Sequence, residues 1–338
     1  MHPIMDDKAK KTLKYILSLV LAGALLYFAF RGIDWKDFWS GLLSTRWGYV
    51  LLSLVAAYAA LVFRAERWRL QLLPIDPRVD RRVIWHASNF GNFMSIIIPG
   101  VGEFVRCARV YRKEVGYEKT FGTILVERFC DVLSILVLLL IAVVGNRDLL
   151  LPFMRDNVLA PFRSRFNFSM GWIALALVLF LLAAIWVVLH FRSRSRFCGR
   201  IVQSLQGILD GMKAFVHIPH KFLFVLYTVG IWVMYIMMTF LTFLAVPGLE
   251  HLSFADAVFI SAIGNIASVI PTPGNLGAYH YLVGIAISSI YLGSSEILAM
   301  PLLCATLSHG SHAILLMLMA LYSFIVVSVR RETYSKLR

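Results

Sequence analysis

The sequence predicts an all-α polytopic membrane protein with about six full spans and two broken-helix hairpins. Three observations carry this. First, 59% of the 338 residues are hydrophobic and the mean hydropathy is +0.75, which excludes a soluble domain. Second, the apolar runs are continuous, as over 133–144 and 173–189. A membrane barrel would alternate every second residue instead. Third, two apolar stretches are interrupted by proline and glycine. One runs from Asn89 through Gly91-Asn92 to Pro99, Gly100, Gly102 and Glu103; the other runs from Ser261 through Gly264-Asn265 to Pro271, Pro273, Gly274 and Gly277. Backbone that leaves the helix at membrane depth must be buried in protein or line a water-filled cavity. Paired interruptions in two halves of a chain point to a transporter's binding site.

In chain order, full spans are expected near 12–30, 47–63, 121–144, 171–191, 221–246 and 297–327. Lys8, Lys10, Lys11 and Lys14 precede the first, which ends in Ala29-Phe30-Arg31-Gly32. No small-x-small cleavage site follows, so an uncleaved span is expected rather than a signal peptide. The broken hairpins occupy about 83–113 and 255–293. Each arm is shorter than the roughly 20 residues needed to cross the hydrocarbon, so both are expected to be re-entrant. No polar stretch reaches the roughly 50 residues of an independent domain, so 1–338 is expected to form one membrane domain.

Charge orients the chain. With both termini in the cytoplasm, 25 Lys/Arg fall in cytoplasmic segments, including 64–82, and seven fall outside; Arg128 lies inside a span. That is the positive-inside pattern. Three full spans then separate the hairpins, so they enter from opposite faces as inverted-topology repeats. The net charge of +14 therefore reads as topology and anionic headgroups, not nucleic acid. Over 197–215, the apolar residues Phe197, Ile201, Leu205, Ile208, Met212 and Phe215 step by three and four, predicting a helix. With the upstream arginines it reads either as an interfacial helix on anionic lipid or as a packed connector.

Candidate site residues cluster at the breaks. Glu103 and Arg106 share a helix face at spacing three; Glu127 and Asp131 share one at spacing four, with Arg128 between them. Charges at membrane depth are costly and face the interior in pairs. The functional reading is an anionic headgroup held by Arg106 or Arg128, with the acids orienting the arginines; the other reading is a structural ion cluster. The second hairpin is different, because no Lys or Arg occurs between Lys221 and Arg330. Its polar residues are Asn265, Ser268, Thr272, Asn275, Tyr279 and His280, and helix N-termini after Pro271 and Pro273 would present amide dipoles to an anion. His309 and His312 add pH-dependent donors. No third metal ligand is evident beside them, and the four cysteines, Cys107, Cys130, Cys198 and Cys304, are scattered. No metal or other cofactor is expected. No catalytic or nucleotide motif is present.

Pro99-Gly-x-Gly-Glu103-x-x-Arg106, then Glu127-Arg128-x-x-Asp131, then Pro271-x-Pro273-Gly274-x-x-Gly277 resemble the lysylphosphatidylglycerol synthase/flippase transmembrane family. The resemblance spans about residues 10–327. It implies a multi-pass protein of the bacterial inner membrane, related to the flippase half of the lysyl-lipid synthases. The soluble aminoacyl-transfer domain has no counterpart here. Family members often carry Arg-Glu where Tyr279-His280 stand, and an arginine in the last span that is missing around 306–309. The expected activity is translocation of an anionic phospholipid or a polyprenyl-phosphate-linked lipid by alternating access between the hairpins. A lipid-modifying integral enzyme and a non-transporting partner of a lipid or glycan transferase are the alternatives. A homo-oligomer stays open.

Overall fold

The structure, a computed structural model, describes residues 7–111, 115–145, 196–267 and 270–336, with positions 155 and 190. The span expected at 171–191 lies outside the described residues, as do Ser268 and most of the connection before that span. Eleven α-helices and no strand occur among the described residues. They are α1 (Asp7–Phe30), α2 (Trp35–Leu43), α3 (Trp47–Leu72), α4 (Arg81–Ile97), α5 (Val101–Val110), α6 (Tyr117–Gly145), α7 (Arg196–Lys213), α8 (Lys221–Ala245), α9 (Phe254–Ile266), α10 (Ala278–Leu292) and α11 (Ala299–Lys336). Within these residues, three helices are long and apolar enough to cross a bilayer: Trp47–Leu72, Lys221–Ala245 and Ala299–Val329. A fourth results if Ile16–Phe30 and Trp35–Leu43, bent by 89°, count as one span.

Two elements differ from the sequence reading. The segment 31–46, expected to be an external loop, contains α2. Asp34 caps it by accepting from the amides of Lys36 (2.8 Å) and Asp37 (3.3 Å). Its Phe38 and Gly41 are buried while Trp35 and Trp39 stay exposed, the division of an interfacial helix. The second difference is the length of α3. It does not stop at residue 63 but runs on to Leu72, carrying Arg64 and Arg67 with it. The reason is that the apolar spacing continues through Leu61, Ala65, Trp68 and Leu72, all buried, so the helix keeps a face to pack.

Both interruptions are real breaks in helix. Between α4 and α5, Ile98 is extended and Gly100 takes φ 77°, which only glycine adopts without strain. The arms fold back on each other where Gly91 faces Gly102: a Cβ on Gly102 would strike the Gly91 carbonyl and the Ser95 hydroxyl. Between α9 and α10 the chain turns through Pro273–Asn275, and a capping box of Ser253 and Asp256 starts α9. Here Gly264 admits the Tyr279 ring, 2.6 Å from where its Cβ would be. Each hairpin has its own core. That of the first holds Trp68, Leu72, Ile84, Cys107 and Ile124; that of the second holds Phe243, Phe259, Ile260, Ile287 and Leu302.

Several helix contacts of the two halves correspond. Helix α3 lies against α8, and the contacts run in opposite directions: Arg46 N–H donates to the Ala245 carbonyl (3.0 Å), Ala56 and Ala57 meet Met238, and Phe63 meets Gly230. The pair is antiparallel, and its small residues allow close approach. Around this pair α4 packs on α5 and α11, with α5 on α6, in a pattern matched by α9 on α10 and α6, with α10 on α11. The helix after each hairpin packs against the first arm of the other: α11 on α4, α6 on α9. Helix α2 meets the start of α11 through Gly41 and Met300, as α7 meets the start of α6 through Gly207, Gly211 and Lys119. The exchange is approximate, since α3 packs on α11 more than α8 does on α6. Helix α7 is thus a packed connector along one face, with Leu205 and Leu209 about half exposed on another.

Candidate functional site

The charged site forms where α3, α5 and α6 converge. Glu127 of α6 is fully buried and sits among four guanidinium groups. Arg106 donates to it at 2.8 Å, Arg128 lies at 3.3 Å, Arg67 at 3.4 Å and Arg64 at 3.5 Å. Asp131 pairs with Arg67 (2.7 Å) and Arg128 (3.4 Å). Glu103 pairs with Arg106 and Arg128, each at 2.9 Å. Each acid is shared between arginines, so the cluster is a network and not a set of pairs. Arg106 is further held by Trp68, whose ring lies 4.2 Å from the guanidinium carbon. Trp68 in turn donates its indole N–H to Thr123 (3.1 Å).

Four arginines against three carboxylates leave one positive charge in excess. Buried charge needs partners, and among the described residues no further carboxylate joins the cluster. Donor capacity is also left over: Nε and Nη1 of Arg67 and Nε of Arg106 and Arg128 are buried with no hydrogen-bond partner among the described residues. Arg67 and Arg106 are almost wholly enclosed, while the Arg128 side chain is 41% exposed. Arg128 is therefore the arginine of this cluster that a ligand entering from outside meets first. The cluster can accept an anion with spare, charge-assisted donors.

Of the residues expected at the site, Glu103, Arg106, Glu127, Arg128 and Asp131 come together as one network. Arg64 and Arg67, which the sequence alone places in a cytoplasmic segment, join the network as well. The signal was there: both lie within the helical spacing that carries α3 past residue 63.

The second hairpin builds a separate, uncharged site. Tyr279 shares a hydrogen bond with Ser308 (3.1 Å) and stacks on His309 at 5.2 Å. His280 is buried and meets His309 edge-on at 5.1 Å. His309 Nε2 lies 2.7 Å from the Gly274 carbonyl oxygen. Asn265 donates to the carbonyl of Ser261 in its own helix (2.8 Å). Asn275 shapes the turn at φ 60°. Tyr279 and His280 are thus brought together, with His309 added, while Asn265 and Asn275 serve the backbone. Pro273 is buried at the start of the turn, and Gly277, at φ 79°, lies where a Cβ would come 2.6 Å from the Ala22 carbonyl of α1. Thr272 is buried with its hydroxyl unpartnered among the described residues.

The hairpins meet at their tips. A Cβ on Gly274 would lie 3.1 Å from Ile96, in the last turn of α4, so the two breaks face each other. The family model for the lysylphosphatidylglycerol synthase TM region matches residues 15–319. The chain belongs to this family. Among the curated proteins and the solved structures no match is found. The family match covers α1 to α11 and both hairpins, so the charged network and the histidine-containing site both lie in the family's own membrane region. It also accords with a membrane domain of lipid-related function.

Proposed function

We propose that the chain is a lipid translocase of the bacterial inner membrane. It would move an anionic lipid, either a phospholipid or a polyprenyl-phosphate-linked lipid, by alternating access between the two hairpins. One observation carries this reading. The tips of two broken hairpins touch, and behind one of them lies a buried network with a positive charge and several guanidinium donors to spare. A phosphate arriving at Arg128 would satisfy both.

The antiparallel pairing of α3 with α8 supports inverted repeats, because an operation exchanging two antiparallel helices reverses chain direction. The hairpins would then open to opposite faces. The state of the carboxylates favours transport over lipid chemistry. Glu103, Glu127 and Asp131 are each tied to two or more arginines, so none is poised as a general acid or base.

The test is movement of a fluorescent anionic lipid in proteoliposomes, with lipid composition analysed in parallel. Glu103→Gln and Gly277→Ala are each expected to abolish movement, the first by freeing arginines and the second by displacing α1. Composition should stay constant throughout. New lipid made by the wild type and lost in Glu103→Gln would replace the translocase reading with an enzyme. Wild type that neither moves nor alters lipid but co-purifies with a lipid or glycan transferase would favour a partner role.

A further inference from the structure

Two imidazoles, those of His280 and His309, meet at the tip of the second hairpin with His312 one turn further along α11, and lipid binding by the charged network leaves them unused. His280 comes from α10, while His309 and His312 lie three apart on α11 and share a face. The hydrogen bond of His309 decides its tautomer. A carbonyl only accepts, so at 2.7 Å from the Gly274 oxygen Nε2 must carry the proton. Nδ1 of the neutral ring is then a bare acceptor. That Nδ1 is buried with no partner among the described residues, and the same holds for Nδ1 of His280 and of His312.

An unmet buried acceptor is unfavourable. One at His309, with unpartnered ring nitrogens on His280 and His312 nearby, points to a species that occupies the site in another state of the protein. The site has room in its chemistry for a proton but not for a metal, since no cluster of three or more metal-ligating side chains occurs among the described residues.

We propose that His280, His309 and His312 form a proton-binding site that couples lipid movement to a proton gradient. This rests on the translocase reading above. A proton taken up at Nδ1 of His309 turns the ring into an imidazolium. Its Nε2–H bond to Gly274 becomes charge-assisted and stronger, which tightens the hairpin tip on α11. Gly274 also faces Ile96, so the change is made where the two hairpins meet. The same proton leaves on the opposite side, and no bond of the lipid is made or broken.

The groups facing His309 set its behaviour. Tyr279 of α10 stacks against it, His280 of α10 meets it edge-on, and His312 follows on its own helix. His312 in turn lies within electrostatic range of Arg64 of α3. Arg64 lies 3.5 Å from Glu127, so a charge felt at Arg64 is felt in the charged network. A proton on the imidazoles raises the positive potential at Arg64 and draws the lipid phosphate in. Its mutual repulsion with Arg64 favours proton release once the phosphate has gone. Chains of ionisable side chains of this kind are the usual proton paths in pumps and transporters.

The experiment uses full-length protein in vesicles of phosphatidylethanolamine and phosphatidylglycerol containing a fluorescent phosphatidylglycerol. Lipid movement is recorded with and without a pH gradient. One pH unit is worth a factor of about ten in the equilibrium constant of a step coupled to one proton, so the ratio of the two rates should exceed one for the wild type, by up to about that factor. In His309→Gln, whose amide can still donate to Gly274, and in His312→Gln, the ratio should fall to about one. Magnetic resonance of isotope-labelled histidine in nanodiscs should show the His309 ring titrating, with a coupled shift at the Gly274 amide. Wild type that moves lipid at the same rate with and without the gradient overturns the coupling and leaves the translocase standing. A His309 ring that does not titrate overturns the proton site itself. Wild type that moves no lipid under any condition overturns the translocase reading and the coupling with it.

Discussion

The two hairpins are built alike and furnished differently. Each has a glycine on its first arm, Gly91 or Gly264, that makes room for a large side chain or close backbone of the second arm. In the first hairpin the space is filled by the stem of Arg106 and by Gly102; in the second it is filled by the ring of Tyr279. Arg106 then enters a network of seven charged side chains, while Tyr279 enters a neutral cluster with Ser308 and two histidines. The comparison teaches that the shape of a broken hairpin and the chemistry it presents are set by different residues. Proline and glycine make the break. What stands seven residues past Pro99, or six past Pro273, decides whether the site holds charge.

An all-or-none experiment can break this comparison. If the hairpins open to opposite faces, cysteines placed in a cysteine-free background at Arg78, in the α3–α4 connection, and at His251, in the α8–α9 connection, should react with an impermeant reagent from opposite sides. Labelling of both from one side would remove the inverted relation.

The next largest effect is expected in the charged network. Glu127→Gln leaves Arg106 and Arg67 facing a neutral amide in a dry site, and removing one partner of a buried pair costs about 3–5 kcal/mol. Thermal unfolding in detergent and folded yield should both fall sharply. Adding Arg67→Met to Glu127→Gln should recover part of the loss, because it removes one of the stranded charges. A tolerated single substitution would show that the network is not structural.

Glycine substitutions are expected to rank by what a methyl would meet. Gly102→Ala drives a Cβ into Gly91 and Ser95, and Gly277→Ala combines φ 79° with the Ala22 carbonyl at 2.6 Å. Overpacking of this kind costs about 1–3 kcal/mol. Gly100 also has positive φ, at 77°, but nothing lies within 4 Å of a Cβ there. Gly100→Ala should therefore show only the conformational term of roughly 1–2 kcal/mol. Equal losses at Gly277 and Gly100 would mean that backbone conformation, and not close approach, governs these two turns.

The smallest effect belongs to the uncharged site. Tyr279→Phe removes one hydrogen bond, with Ser308, and keeps the stack on His309. A single neutral hydrogen bond contributes about 0.5–1.5 kcal/mol, so melting should shift by far less than for Glu127→Gln. A loss as large as that of Glu127→Gln would show that the neutral cluster is as tightly coupled as the charged one.

Much of this was legible in the sequence, for reasons that are local. Pro99-Gly100 and Pro273-Gly274 interrupt helices through their own backbone preferences, so the breaks appear where the residues stand. Glu127 and Asp131 share a face because a helix has its period, whatever surrounds it. The expected helices at 197–215 and 221–246 correspond to α7 and α8 with ends displaced by one or two residues. Helix α2 escaped notice because a nine-residue amphipathic stretch between spans has the composition of a loop.

By itself the sequence determined where the chain must break, which stretches are apolar enough to lie in a membrane and which acids sit on one helix face, since those depend on nearest neighbours along the chain. Only the tertiary structure decided the partners. Arg64 and Arg67 look like the first residues of a basic segment until α5 and α6 supply Glu127 and Asp131 beside them. His309 is one polar residue in an apolar helix until the Gly274 carbonyl and the His280 ring arrive from α10 and the turn before it. A charge or an imidazole acquires its role from groups distant in sequence, because a low-dielectric interior makes each buried polar atom depend on what is packed against it.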